Sequence, residues 1–292
     1  MIPHKLGLRS LNQLIAAWRR TITRNSADVS GELVDLRSET NDPIEALYLS
    51  AGRPFLVNIP VNRCRTFGLA LDRDNPLVRT LREYGEGRCT KAQDSCLAEY
   101  YRSWQPATVA EALGLSAETL SSLLRQPPDN GLLLPWSPGA SLNDRSTRLA
   151  RMEVQELSRE LELEPALIDG ILYYGPVSDA FLELTFQRLV RIYEAIRQQG
   201  YLELGSNRVR GRLHLSREEW RVHMISGKHR IAALAALGHD LVPLQIGPGV
   251  PVRRNECRAW PNVANRTFSE SEALDVFDRY FDGRYPQRAL SH

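Results

Sequence analysis

Lys228, His229 and Arg230 follow Ser226-Gly227 without a break, which puts three nitrogen-bearing side chains directly behind a turn residue. Arg221-Val222-His223-Met224-Ile225 before them alternates in polarity as a strand does, and Lys228 to Leu237, stopped by Gly238, has the composition of a helix. A strand, a glycine turn and a helix start leave several backbone N–H groups unpaired at one spot, where the helix dipole also favours negative charge. Cations in that first turn oppose the dipole, and stability alone would select Asp or Glu there. The chemistry that suits this order is capture of an anion, a phosphate group, with Ser226, Gly227, Lys228, His229 and Arg230 as its binding residues. Lysine occurs only as Lys5, Lys91 and Lys228, so nearly all other positive charge is carried by arginine forks suited to carboxylate or phosphate. His229 has two readings: it donates a hydrogen bond or shuttles a proton, or it caps or fills the core.

Carboxylates for catalysis come from the preceding helix. Leu182, Phe186, Leu189, Tyr193 and Ile196 recur at intervals of four and three, with Ser178 or Asp179 as the cap and Gly200 as the stop. Asp179 and Glu183, at its start, are the candidates to bind Mg²⁺ or activate an acceptor hydroxyl, and His229 is the third candidate catalytic residue. Stabilisation by the helix dipole explains Glu183 without any catalysis.

The elements that must position these groups follow from periodicity. Strands are predicted over Asn207 to Leu215, Trp220 to Ile225 and Leu241 to Ile246, and a tail strand over Arg253 to Arg258 precedes a capped helix from Ser269 to Phe281. Arg253, Arg254 and Arg258 either border the phosphate site or protect an edge strand. Earlier, helices are predicted over 11–22, 76–84, 91–104 and 144–162, with a short strand at Phe55 to Ile59. Arg63 and Arg65, just after it, either face a ligand or are solvated loop arginines. Residues 108–125 carry a helix, a Gly114 turn and a second run of helical type, the pattern of a helix-turn-helix. With Arg125 as its single basic residue, a packing hairpin is the alternative. The Pro-, Gly- and Asn-rich stretch from Gln126 to Asn143 reads as a connection. The chain thus divides into a mixed, mainly helical region over 1–140 and an α+β domain over 141–292.

Thirty-seven Lys and Arg against thirty-five Asp and Glu leave a formal charge of +2, so no global excess drives the chain to nucleic acid or membrane. An apolar fraction of 42% is that of an ordinary globular protein. Cys64, Cys89, Cys96 and Cys257 have no metal-type spacing, and the chain shows no long apolar run, which together predict a reduced, cytoplasmic protein without a membrane span.

The run from Met224 through Ser226-Gly227-Lys228-His229-Arg230 and the Ala-rich helix to Leu237-Gly238, closing with Val242-Pro243-Leu244, resembles the signature of the ParB/sulfiredoxin superfamily. The preceding helix and strand pair follow the family's order, so the resemblance covers roughly residues 170–250. It implies a mixed sheet with helices and a turn that binds nucleotide phosphates. Members include CTP-binding partition proteins, ATP-using sulfiredoxins, serine kinases and nucleases. Lys228 stands where sulfiredoxins have their nucleophilic cysteine, which argues against that chemistry. The partition proteins' helical DNA-binding domain follows this fold, whereas the possible helix-turn-helix here precedes it. Ser226 replaces the acidic residue that kinase-like members often carry before the glycine. The whole chain is also similar to bacterial proteins of surface-polysaccharide gene clusters, which implies a small-molecule or sugar substrate.

Together these readings predict a nucleotide-dependent phosphotransferase or nucleotide hydrolase using ATP or ADP in preference to CTP, with Mg²⁺. The alternatives are a DNA-binding protein or nuclease docking through residues 108–125, and a nucleotide-sensing factor without catalysis.

Overall fold

The computed structural model describes residues 32–66, 68–115, 121–128, 133–137, 173–202, 208–247 and 249–285. At its centre β5 (Arg210–Ser216) and β6 (Glu219–Ser226) form an antiparallel hairpin. Their alternation is not the apolar-in, polar-out pattern of a half-exposed sheet. Leu213, Val222 and Met224 enter one core, while His214 and His223 stand among the rings of a second. Both faces of this hairpin are therefore packed.

Beside β5 run β7 (Leu241–Ile246), parallel to its start, and the short β8 (Val252–Arg253), parallel to its end. The remaining strands come from the N-terminal part of the chain: β1 (Val34–Asp35), β2 (Phe55–Pro60), β3 (Cys64–Thr66) and β4 (Leu69–Ala70). The order is β1-β2-β7-β5-β6-β3-β4, an eight-stranded mixed sheet with β8 set off the path on β5. Strands from before residue 140 thus flank the C-terminal strands on both sides, and the sheet is not confined to the C-terminal half. The protein is α+β, as its sequence predicts.

Helices cover the two faces. On the first face lie α1 (Pro43–Leu49), α2 (Pro76–Gly85), α3 (Cys96–Ser103), α5 (Asp179–Gln199) and α6 (Lys228–Ala236). Their apolar side chains, among them Ala46, Leu77, Leu97, Phe181, Leu189 and Ile231, share the larger core. On the second lie α4 (Val109–Leu113), the single turn α7 (Pro261–Ala264) and α8 (Glu270–Asp282), where Trp136, Trp260 and Phe277 pack edge-on or stacked. Ser269 and Glu272 form a reciprocal capping box at the start of α8. Ser178 caps α5 by accepting from the Phe181 N–H. Among the described residues no helix is long and apolar enough to cross a membrane.

Several sequence expectations change. Residues 121–125 form turns rather than a second helix: the Val109 and Ala110 N–H groups bond back to the Gln126 and Leu124 carbonyls, so this segment folds against α4. Residues 116–120 lie outside the described set, as do the helices expected over 11–22 and 144–162 and most of the 126–143 connection. Within 91–104 a 3-10 turn, Ala92–Asp94, ends before Ser95 caps α3, so the expected single helix is two pieces. The tail strand is only Val252–Arg253, and Arg254–Ala259 winds as a 3-10 helix that tucks Cys257 into the second core.

Candidate functional site

Gly227 is the pivot between β6 and α6. Its φ of 82° lies in the left-handed region, and a Cβ added there would stand 3.0 Å from the Val209 Cα. Both the backbone conformation and the close approach of the strand leading into β5 require glycine. The chain leaves this turn as a nine-residue helix with no acidic residue in its first turn and no side-chain cap.

The three side chains of the turn diverge. Lys228 lies over the Tyr173 ring, with Nζ 4.5 Å from the centroid, and donates to the Tyr173 hydroxyl at 3.1 Å. Arg230 is hydrogen-bonded to the Tyr201 hydroxyl, which also accepts from the Val209 N–H at 3.2 Å. Burial lowers the pKa of the Arg230 guanidinium, against the pull of Tyr201, and Arg188 and Arg210 push the same way as burial. Between them His229 is half-buried as a residue, yet its Nε2 is sealed from solvent and has no hydrogen-bond partner. Burial, together with the charges of Arg188, Lys228 and Arg230, pushes its pKa down to about 3. The ring is therefore neutral near pH 7, a hydrogen-bonding group and not a cation. Ser226 accepts from Arg210 Nε at 3.2 Å, which brings a further arginine to the rim of the turn.

Asp179 and Glu183 are placed elsewhere along α5. Asp179 is exposed in the first turn, and Glu183 accepts from Gln187 Nε2 at 2.8 Å. The α5 residue that acts on His229 is Arg188, five residues and about 7 Å further along the helix axis than Glu183. Neither carboxylate is among the charges acting on His229 or Arg230. Among the described residues no three His, Cys, Asp or Glu side chains are grouped to hold a metal. The turn and its arginines supply no carboxylate, so they do not fit a magnesium site of their own.

The other arginines singled out by sequence have structural work. Arg254 makes a bidentate pair with Asp278 at 2.7 Å, Arg258 bonds Glu270 at 2.9 Å, and Arg253 faces Glu256. All three serve the α8 side of the sheet and do not border the turn. Arg65 is neither solvated nor free for a ligand: it is buried, donating to the carbonyls of Asn62, Cys64 and Phe281, and burial lowers its pKa to about 10. Arg63 pairs with Glu219 on the surface. The four cysteines are buried as free thiols, and burial pushes Cys64 and Cys96 up to about 12 and Cys257 to about 11, which leaves them inert as nucleophiles.

Sequence reading did not place Arg188, Arg210, Tyr173 and Tyr201 at the turn. Arg188 sits beside the apolar stripe of α5 and Arg210 at the foot of β5, positions that look like ordinary solvated ones until helix and hairpin are docked. Comparisons with protein-family models, curated proteins and solved structures find no match to this chain.

Proposed function

We propose that this chain binds the phosphate chain of a nucleotide at Gly227–Arg230 and uses it in phosphoryl transfer to a small-molecule or sugar acceptor, or in hydrolysis. The observation that carries the reading is a helix start with no acidic residue in its first turn, whose Lys228 and Arg230 diverge to Tyr173 and Tyr201 while their charges, with that of Arg188, act on His229. A phosphate would receive the first N–H groups of α6 and the charge of the arginines, the positioning and neutralisation that phosphoryl transfer chiefly needs. His229, held neutral, is suited to donate or accept a single hydrogen bond at such a group. The likeness of Met224 to Gly238 to the ParB/sulfiredoxin signature supports a nucleotide over free phosphate, with ATP or ADP ahead of CTP. Mg²⁺ would arrive on the nucleotide's own oxygens. Buried free thiols agree with a reducing compartment, the cytoplasm.

A ligand specific to the native state raises apparent stability by mass action. Thermal unfolding with ATP, ADP and CTP, with and without Mg²⁺, should show a rise for the parent chain that Arg188→Gln and Lys228→Gln lose while keeping the parent circular dichroism. A melting temperature unmoved by every nucleotide contradicts the proposal.

A further inference from the structure

At the other end of α6 lies a half-open cleft of about 340 Å³. It is lined by the apolar residues Pro60, Val61, Leu71 and Leu241 and by four polar ones, Asn62, Arg82, His239 and Asp240. The lining is polar and apolar in equal measure, and the volume lies at the small end of the range for ligand sites, a combination suited to a small, charged molecule. The charges in it are opposite in sign and not spent on each other. On α2, Arg79 and Arg88 take Glu83, and Arg88 also takes Glu86. Arg82 is left with one long hydrogen bond to the Ala235 carbonyl at 3.5 Å. Asp240, exposed at the rim, makes no ion pair with it or with any other described residue. Asn62 and His239 likewise offer side chains that make no hydrogen bond among the described residues.

We infer that this cleft is a binding site for a small zwitterion, a free α-amino acid. Its carboxylate meets Arg82, whose fork accepts a carboxylate on two parallel bonds. Its ammonium meets Asp240 at the rim. The apolar wall receives the side chain. The site is separate from the Gly227 turn: α6 has nine residues, so its ends are about 13 Å apart, too far for direct transfer between the two ligands. The inference therefore stands whether or not the turn binds a nucleotide.

The test is thermal unfolding of the full chain with each of the twenty α-amino acids at ~10 mM. For an affinity near ~1 mM, at least one should raise the midpoint by about 3 °C. Propionate and propylamine, each carrying one of the two charges, should not. Arg82→Met, at a half-buried position, and Asp240→Asn, at an exposed one, neither of them in the core, should each abolish the rise, and Lys228→Gln should leave it unchanged. The inference is overturned by the absence of any shift, by a shift equalled by propionate or propylamine, or by one that either cleft variant retains.

Discussion

Two histidines near the turn are held neutral by their surroundings. The charges of Arg188, Lys228 and Arg230 act on His229 and those of Lys228, Arg212 and Arg65 on His223, which has the Tyr280 ring 5.4 Å away. Burial first, and those cations second, bring each to about 3. The unfolded chain takes up these protons near the ordinary histidine value, so between pH about 6.5 and 3 it binds more protons than the folded one. The stability contributed by the neutral rings is complete above that window and is lost as pH falls through it. Urea midpoints should therefore decline already between pH 7 and 5, above the range where carboxylates protonate, and His223→Gln should flatten the decline. A midpoint constant from pH 7 to 5 would show that these rings are not shielded. At this scale much of the turn was legible, because Ser226 to Arg230 are adjacent in sequence and their clash with the helix dipole is local. Arg188 and Tyr201 were not, because contacts from 29 or more residues away depend on how α5 docks.

The strand–turn–helix unit of β6 and α6 depends on Gly227. Alanine there must hold φ at 82° with its Cβ against Val209, a combination expected to cost about 1–3 kcal/mol. Gly227→Ala should lower the urea midpoint accordingly, whereas Gly238→Ala, whose added Cβ meets nothing within 4 Å although φ is 83°, should cost less. Equal losses would mean that Val209 gives way freely. Capped helices were the most readable elements: Ser178 and Ser269 cap where the sequence places them because a hydroxyl three residues before a free N–H is a short-range interaction. The second half of the apparent helix-turn-helix was not readable, because Ala110 and Val109 spend their N–H groups on Leu124 and Gln126 and so bend residues 121–125 back into turns. Similarly, Arg254 to Ala259 gave up an extended strand for a 3-10 helix that buries Cys257.

Across the whole molecule, the C-terminal part contributes the contiguous centre β7-β5-β6, while β1-β2 and β3-β4 close it on opposite sides. Helix α2 from the earlier part packs on α6, whose start is the candidate site. Pairing of this kind, β2 with β7 and β3 with β6, was invisible in the sequence because register between distant strands is set by the assembled core and not by local pattern. A fragment of residues 141–292 would expose two unpaired strand edges and the apolar underside of α6. It should show no cooperative thermal transition alone, and gain one when mixed with residues 1–140; a sharp transition for the isolated fragment would show that residues 141–292 fold independently. Where phosphate sits would be visible in a crystal structure of the chain with ADP. Phosphate oxygens should lie within hydrogen-bonding distance of the Lys228 and His229 backbone N–H groups, with Arg188 or Arg230 drawn to them. ADP bound away from α6, or a turn left empty at saturating ADP, would contradict it.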